Sequence, residues 1–174
     1  MQYVDVASRL LLLTVFALAL GSKISSRGAW SEFVASTRAM AVVDDAKVPV
    51  AAAATAVAEA GVIALAVLPF RWAGSAAFVL AAGLLGCLTV AVTMVVRRGA
   101  AVPCRCFGAS KTPLGVEHVV RNLILVVVAL LGLAGSLVSG SYDPGFSVVA
   151  GVFGAALGLL MARWDDLVSL LRTS

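Results

Sequence analysis

Five long stretches of this chain carry almost no charge, and that feature limits the folds open to it. Leu10–Ser22, Trp72–Val96, Asn122–Tyr142 and Pro144–Ala162 hold no Asp, Glu, Lys or Arg, and Val48–Phe70 holds only Glu59. A helix rises about 1.5 Å per residue, so roughly 20 apolar residues cross the hydrocarbon core of a bilayer. The runs predict five transmembrane helices, at about 4–22, 49–68, 74–96, 117–138 and 146–164. Composition agrees: 61% of the 174 residues are hydrophobic and 13% are charged. Soluble domains hold about 45–50% and about 25%. The chain has too little polar surface for a water-soluble globule and is too hydrophobic to be disordered. The expected class is an all-α integral membrane protein, one membrane domain over 1–174. The net charge of +4 is too small and dispersed for a nucleic-acid surface.

The first span also has to be weighed as a signal peptide, because Ala17-Leu18-Ala19 follows an apolar run. The segment before it contains Asp5 and only Arg9 as a basic side chain, which fits a retained span better than a cleaved leader. Small residues recur within the spans, among them Ala51–Ala54, Gly83, Gly86, Gly151, Gly154 and Gly158. Such residues let helix backbones approach closely, either inside one bundle or across a homodimer seam. No internal repeat suggests a two-fold transporter.

Two segments do not span. In 24–47, Trp30, Phe33, Val34 and Met40 fall near helical spacing with Arg27, Glu32 and Arg38 between them. This predicts an amphipathic helix at the membrane surface, acting as an anchor or as a lid. The segment 97–116 is punctuated by Gly99, Pro103, Gly108, Pro113 and Gly115 and reads as a loop. Both segments fall on one side of the membrane, with eleven of the thirteen Lys and Arg; Arg9 and Arg71 remain on the other. Positive charge favours the cytoplasmic side. The expectation is therefore an outer N-terminus and a cytoplasmic 97–116.

Cys104-Arg105-Cys106 is the most chemically specific motif. Two thiols one residue apart can close a disulfide only if the backbone turns tightly, and a strained, exposed disulfide is prone to exchange. Arg105 and Lys111 favour the reactive thiolate. A metal reading stands beside it, because thiolates suit soft metals and His118 follows closely; that set of Cys104, Cys106 and His118 falls one ligand short of a structural zinc site. Glu59 is the second candidate: a carboxylate within a span needs a partner or a proton and marks a functional site by default. Arg121 and Lys23 are its candidate partners, with Asn122 able to add hydrogen bonds. Glu59 could carry protons to or from the thiols. Cys87, inside the third span, is expected to be a small core residue.

Taken together, Cys104-x-Cys106-Phe107-Gly108, Ser22-Lys23, Pro49, Glu59-x-Gly61 and Arg121-Asn122 occur in an order that resembles the methylamine-utilisation protein E (MauE) family, over about the first 140 residues. That resemblance implies a four-helix core of the DoxX-like kind, similar in outline to vitamin K epoxide reductase-type enzymes, here followed by a fifth span. It also implies thiol–disulfide exchange by Cys104 and Cys106, with Arg105, Glu59 and Arg121 at the site. The family's context is maturation of methylamine dehydrogenase in a bacterial inner membrane, with a thioredoxin-like partner. By analogy, a quinone could serve as electron acceptor. A binding or transport protein for a soft metal or small thiol, and a non-catalytic scaffold, are the competing functions.

Overall fold

In a computed structural model, residues 2–100, 115–138 and 144–164 are described. Their order is α1 (Gln2–Ile24), α2 (Arg27–Ala39), a 3-10 turn (Asp45–Lys47), α3 (Val48–Val67), α4 (Arg71–Arg97), α5 (Val116–Leu137) and α6 (Pro144–Ala162). No strand occurs among the described residues. All helices except α2 are long and apolar enough to cross a membrane. Each of the five expected spans is present, with ends displaced by at most three residues from the expected bounds. The chain is a multi-pass membrane protein.

Local signals place the helix ends. Ser26 accepts a hydrogen bond from the Ala29 N–H at 3.0 Å and starts α2. Pro49 sits in the first turn of α3, where its missing N–H is harmless. Ala41 ends the α2 segment in the left-handed region, at φ 49°, and its carbonyl accepts from Arg98 Nη1 at 3.0 Å. Inside the spans, hydroxyls return to their own helix: Thr14 to Leu10, Thr55 to Ala51, Thr89 to Leu85 and Thr93 to Thr89. No hydroxyl among these is left facing hydrocarbon unbonded, which the bilayer penalises.

Helices α1, α3, α4 and α5 form a closed ring in which each packs on the next, and α6 lies outside it against α1. The core between them is Leu11, Leu12, Val15, Phe16, Val62, Phe78, Ala81, Leu85, Leu125 and Ala129. Outward positions such as Val50, Val57, Val79, Val127, Val148 and Val152 are exposed, as a lipid-facing surface requires. Gly151, Gly154 and Gly158 are the buried stripe of α6. A Cβ at Gly154 would run into the Ala7 carbonyl, and one at Gly158 would sit 2.8 Å from the Leu11 carbonyl. The α6 glycines thus serve close packing within one bundle, whereas a Cβ at Gly83 or Gly86 of α4 would meet nothing within 4 Å.

The 24–47 segment holds the expected surface helix, α2, with Phe33 and Ser36 buried. Cys87 departs from expectation: it is exposed rather than a core residue. The buried face of α4 runs through Ala77, Ala81, Leu85, Val92 and Val95. Two residues beyond Leu85 the helix has turned about 200°, so Cys87 points away from the bundle.

Candidate functional site

The two ends of the ring differ. One end carries Lys23 at the close of α1, α2, the end of α4 and the start of α5. Here the structure buries an unusual set of polar groups: Lys23, Ser36, Glu59, His118, Arg121 and Asn122 are each at most 7% exposed. Helix α2 supplies Ser36, and three helices of the ring supply the rest. Lys23 is in the last turn of α1, Glu59 is mid-α3, and His118, Arg121 and Asn122 lie in the first two turns of α5.

Lys23 is the partner the structure gives Glu59. Its Nζ donates to Glu59 Oε1 at 2.7 Å and to the Ala19 carbonyl at 3.3 Å. The stem bends back one turn, so a residue at the helix end delivers its charge into the bundle. The ammonium also lies 5.1 Å from the centre of the Phe33 ring. Phe33 comes from α2, so the surface helix packs against the ion pair at this end. A face-on aromatic ring partly replaces the water that a buried ammonium loses. Among the described residues, Glu59 Oε2 and Asn122 Oδ1 are buried with no hydrogen-bond partner. Arg121, the other expected partner of Glu59, is buried on α5 at the same end.

His118 has a local task. Its Nδ1 accepts the Gly115 N–H at 3.3 Å, capping the first turn of α5. Among the described residues no group of three or more His, Cys, Asp or Glu is placed to hold a metal ion. Cys104, Arg105, Cys106 and Lys111 lie outside the described residues. Sequence reasoning had Lys23 and Arg121 as alternatives for one carboxylate; it missed Phe33 as part of the site. The signal was the helical spacing of Phe33 in α2, which gives its face but not what the face covers.

A family model for methylamine utilisation protein MauE matches residues 1–135. The chain belongs to the MauE family. The matched region takes in α1 to α4 and nearly all of α5, which is the whole ring and every buried polar residue named above. Helix α6 lies beyond it, so the outer helix on α1 is an addition to the MauE region. Membership links this membrane protein to methylamine utilisation. No curated protein and no solved structure matches the chain.

Proposed function

We propose that this MauE-family protein takes part in thiol–disulfide exchange that supports maturation of a partner protein, with Cys104 and Cys106 as the exchanging pair. The observation that carries the reading is where the buried polar groups lie. Helix α4 ends and α5 begins at the end of the ring that holds Lys23, Glu59, Arg121 and Asn122, and the sequence joining those two helices contains Cys104-Arg105-Cys106. A charged cluster inside an apolar bundle is costly, and it is kept where chemistry uses it.

In the exchange, a thiolate of a partner dithiol attacks one sulfur of the Cys104–Cys106 disulfide and forms a mixed disulfide. The partner's second thiolate then displaces it. Two electrons and two protons leave the partner, which gains a disulfide, and Cys104 and Cys106 become thiols. Arg105 favours the thiolate form, and Glu59, whose Oε2 has no partner among the described residues, handles the proton. A thioredoxin-like protein is the fitting class of partner, as in the maturation of methylamine dehydrogenase. A two-electron acceptor of the quinone class would have to reoxidise the pair. We read the ring as the DoxX-like, vitamin K epoxide reductase-like core. By its charge distribution we place the cysteine end at the cytoplasmic face of a bacterial inner membrane.

Thiol labelling tests this in a Cys87→Ser background, which removes the exposed third thiol. Under oxidising conditions neither Cys104 nor Cys106 should react with an alkylating reagent, and both should react after reduction. Free labelling of both without reductant would remove the exchange role.

A further inference from the structure

The opposite end of the ring carries a second polar site that the exchange chemistry does not use. A cavity of about 260 Å³ opens there, lined by Asp5 and Arg9 of α1, Pro69 between α3 and α4, Arg71 and Gly74 of α4, and Ser136 of α5. Asp5 is 7% exposed and, among the described residues, its Oδ1 has no hydrogen-bond partner. Leaving such an acceptor buried and unmatched is unfavourable unless something from outside the chain donates to it.

The cations around it are held firmly. Arg9 Nε donates to the Ala66 carbonyl at 2.9 Å, and its Nη2 donates to the Leu65 and Leu68 carbonyls. These bonds cap the end of α3, whose last carbonyls have no intrahelical partner. The guanidinium lies flat on Gly74, where a Cβ would come within 3.3 Å of its Cζ. Nη1, which none of those three carbonyls takes, lies at that glycine wall. Arg71 Nη2 donates to the Ser136 carbonyl at 2.8 Å, capping α5 in the same way. Among the described residues, the Arg9 and Arg71 guanidinium groups and the Asp5 carboxylate thus line one cavity.

We propose that this cavity binds a small acid that also carries a hydrogen-bond donor, an α-amino or α-hydroxy acid of a few carbons. Arg9, whose Nη1 none of those three carbonyls takes, favours an anionic group in the occupant. A plain anion would face Asp5 unfavourably, whereas an ammonium or hydroxyl beside the anion donates to Oδ1. The volume is below the roughly 300–1,000 Å³ of drug-sized pockets, which limits the occupant to a small molecule. Leu12, Val15, Phe16, Leu85 and Leu125 fill the ring between this cavity and the Lys23–Glu59 end. The site therefore binds its ligand from its own side and does not pass it through.

The test is thermal unfolding of the purified full chain in detergent, titrated at constant ionic strength with millimolar glycine, glycolate or acetate. A ligand of the folded state raises the midpoint in a saturable way. Glycine or glycolate should do so, and acetate, which lacks the donor, should bind about tenfold more weakly or worse, the effect of one charge-assisted hydrogen bond. A response to glycine alone identifies amino acids, and one to glycolate alone identifies hydroxy acids. Asp5→Asn should weaken the response by a similar factor. The acetate comparison needs no variant and stands if Asp5→Asn fails to fold. No saturable shift with glycine or glycolate, an equal shift with acetate, or an unchanged response in Asp5→Asn overturns the proposal.

Discussion

The Lys23–Glu59 pair lends itself to a double-mutant cycle, because the two partners sit differently in the bilayer. The pair is 2.7 Å apart with both side chains at most 2% exposed. At an effective dielectric constant of about 20, the attraction between unit charges at that distance is about 6 kcal/mol. Desolvation offsets much of this, so the pair adds little net stability, but removing one partner strands the other. Lys23→Met removes the ion-pair partner of Glu59, which lies about 16 Å along α3 from Val48. We expect a loss of about 3–5 kcal/mol. Glu59→Leu should cost less, about 1–3 kcal/mol, because Lys23 is at the end of α1 and its stem can swing back to the membrane surface. The double variant replaces the pair by two apolar side chains of similar size and should return to within about 1 kcal/mol of wild type. Unfolding with SDS or urea in mixed micelles measures all four proteins. A coupling below about 0.5 kcal/mol would mean that the two residues act independently, and the pairing argument would be refuted.

Three further outcomes are expected. Gly154→Ala should destabilise the bundle by about 1–3 kcal/mol in the same unfolding assay, since its Cβ meets the Ala7 backbone; Gly83→Ala, with nothing within 4 Å, should be neutral or gain up to about 1 kcal/mol. Ala41→Gly should raise the midpoint, because the left-handed backbone at φ 49° costs a non-glycine residue about 1–2 kcal/mol; an unchanged midpoint would mean that no strain is held there. In intact cells with Cys87→Ser, a membrane-impermeant maleimide should leave Cys104 and Cys106 unlabelled even after reduction by a permeant reductant, and label them once the cells are permeabilised; labelling of intact cells would reverse the orientation.

How much of the site could be read from the chain depends on which physical rule each residue obeys. Glu59 was legible because an acid within 23 residues that otherwise carry no charge has no ordinary explanation. Its partner was not. Arg121 and Lys23 both satisfy the requirement for a nearby cation, and the choice rests on how far the Lys23 stem folds back. Cys87 was misplaced because a small apolar residue in a uniformly apolar helix gives no sign of its face; α4 carries Gly and Val on both its buried and its exposed side. Asp5, Arg9 and Arg71 were visible as charges on the sparsely charged side, but 62 residues separate Arg9 from Arg71 in sequence. Only the ring brings them to one cavity.

What the chain determined by itself is what its solvent demands. Hydrocarbon leaves no freedom about backbone hydrogen bonds or charge, so uncharged runs of the right length must be helices, and five of them appear where the runs lie. The glycine stripe and the amphipathic spacing of 24–47 follow the same logic of faces. The tertiary structure decided everything that depends on which helix stands beside which. It chose Lys23 for Glu59, set Phe33 against the pair, turned Cys87 to the lipid and spent the glycines of α6 on α1. The physical reason is that apolar periodicity in a membrane is nearly silent about neighbours, since lipid and protein surfaces are equally apolar. Partner choice is then left to side-chain reach and close packing, which exist only once the bundle has formed.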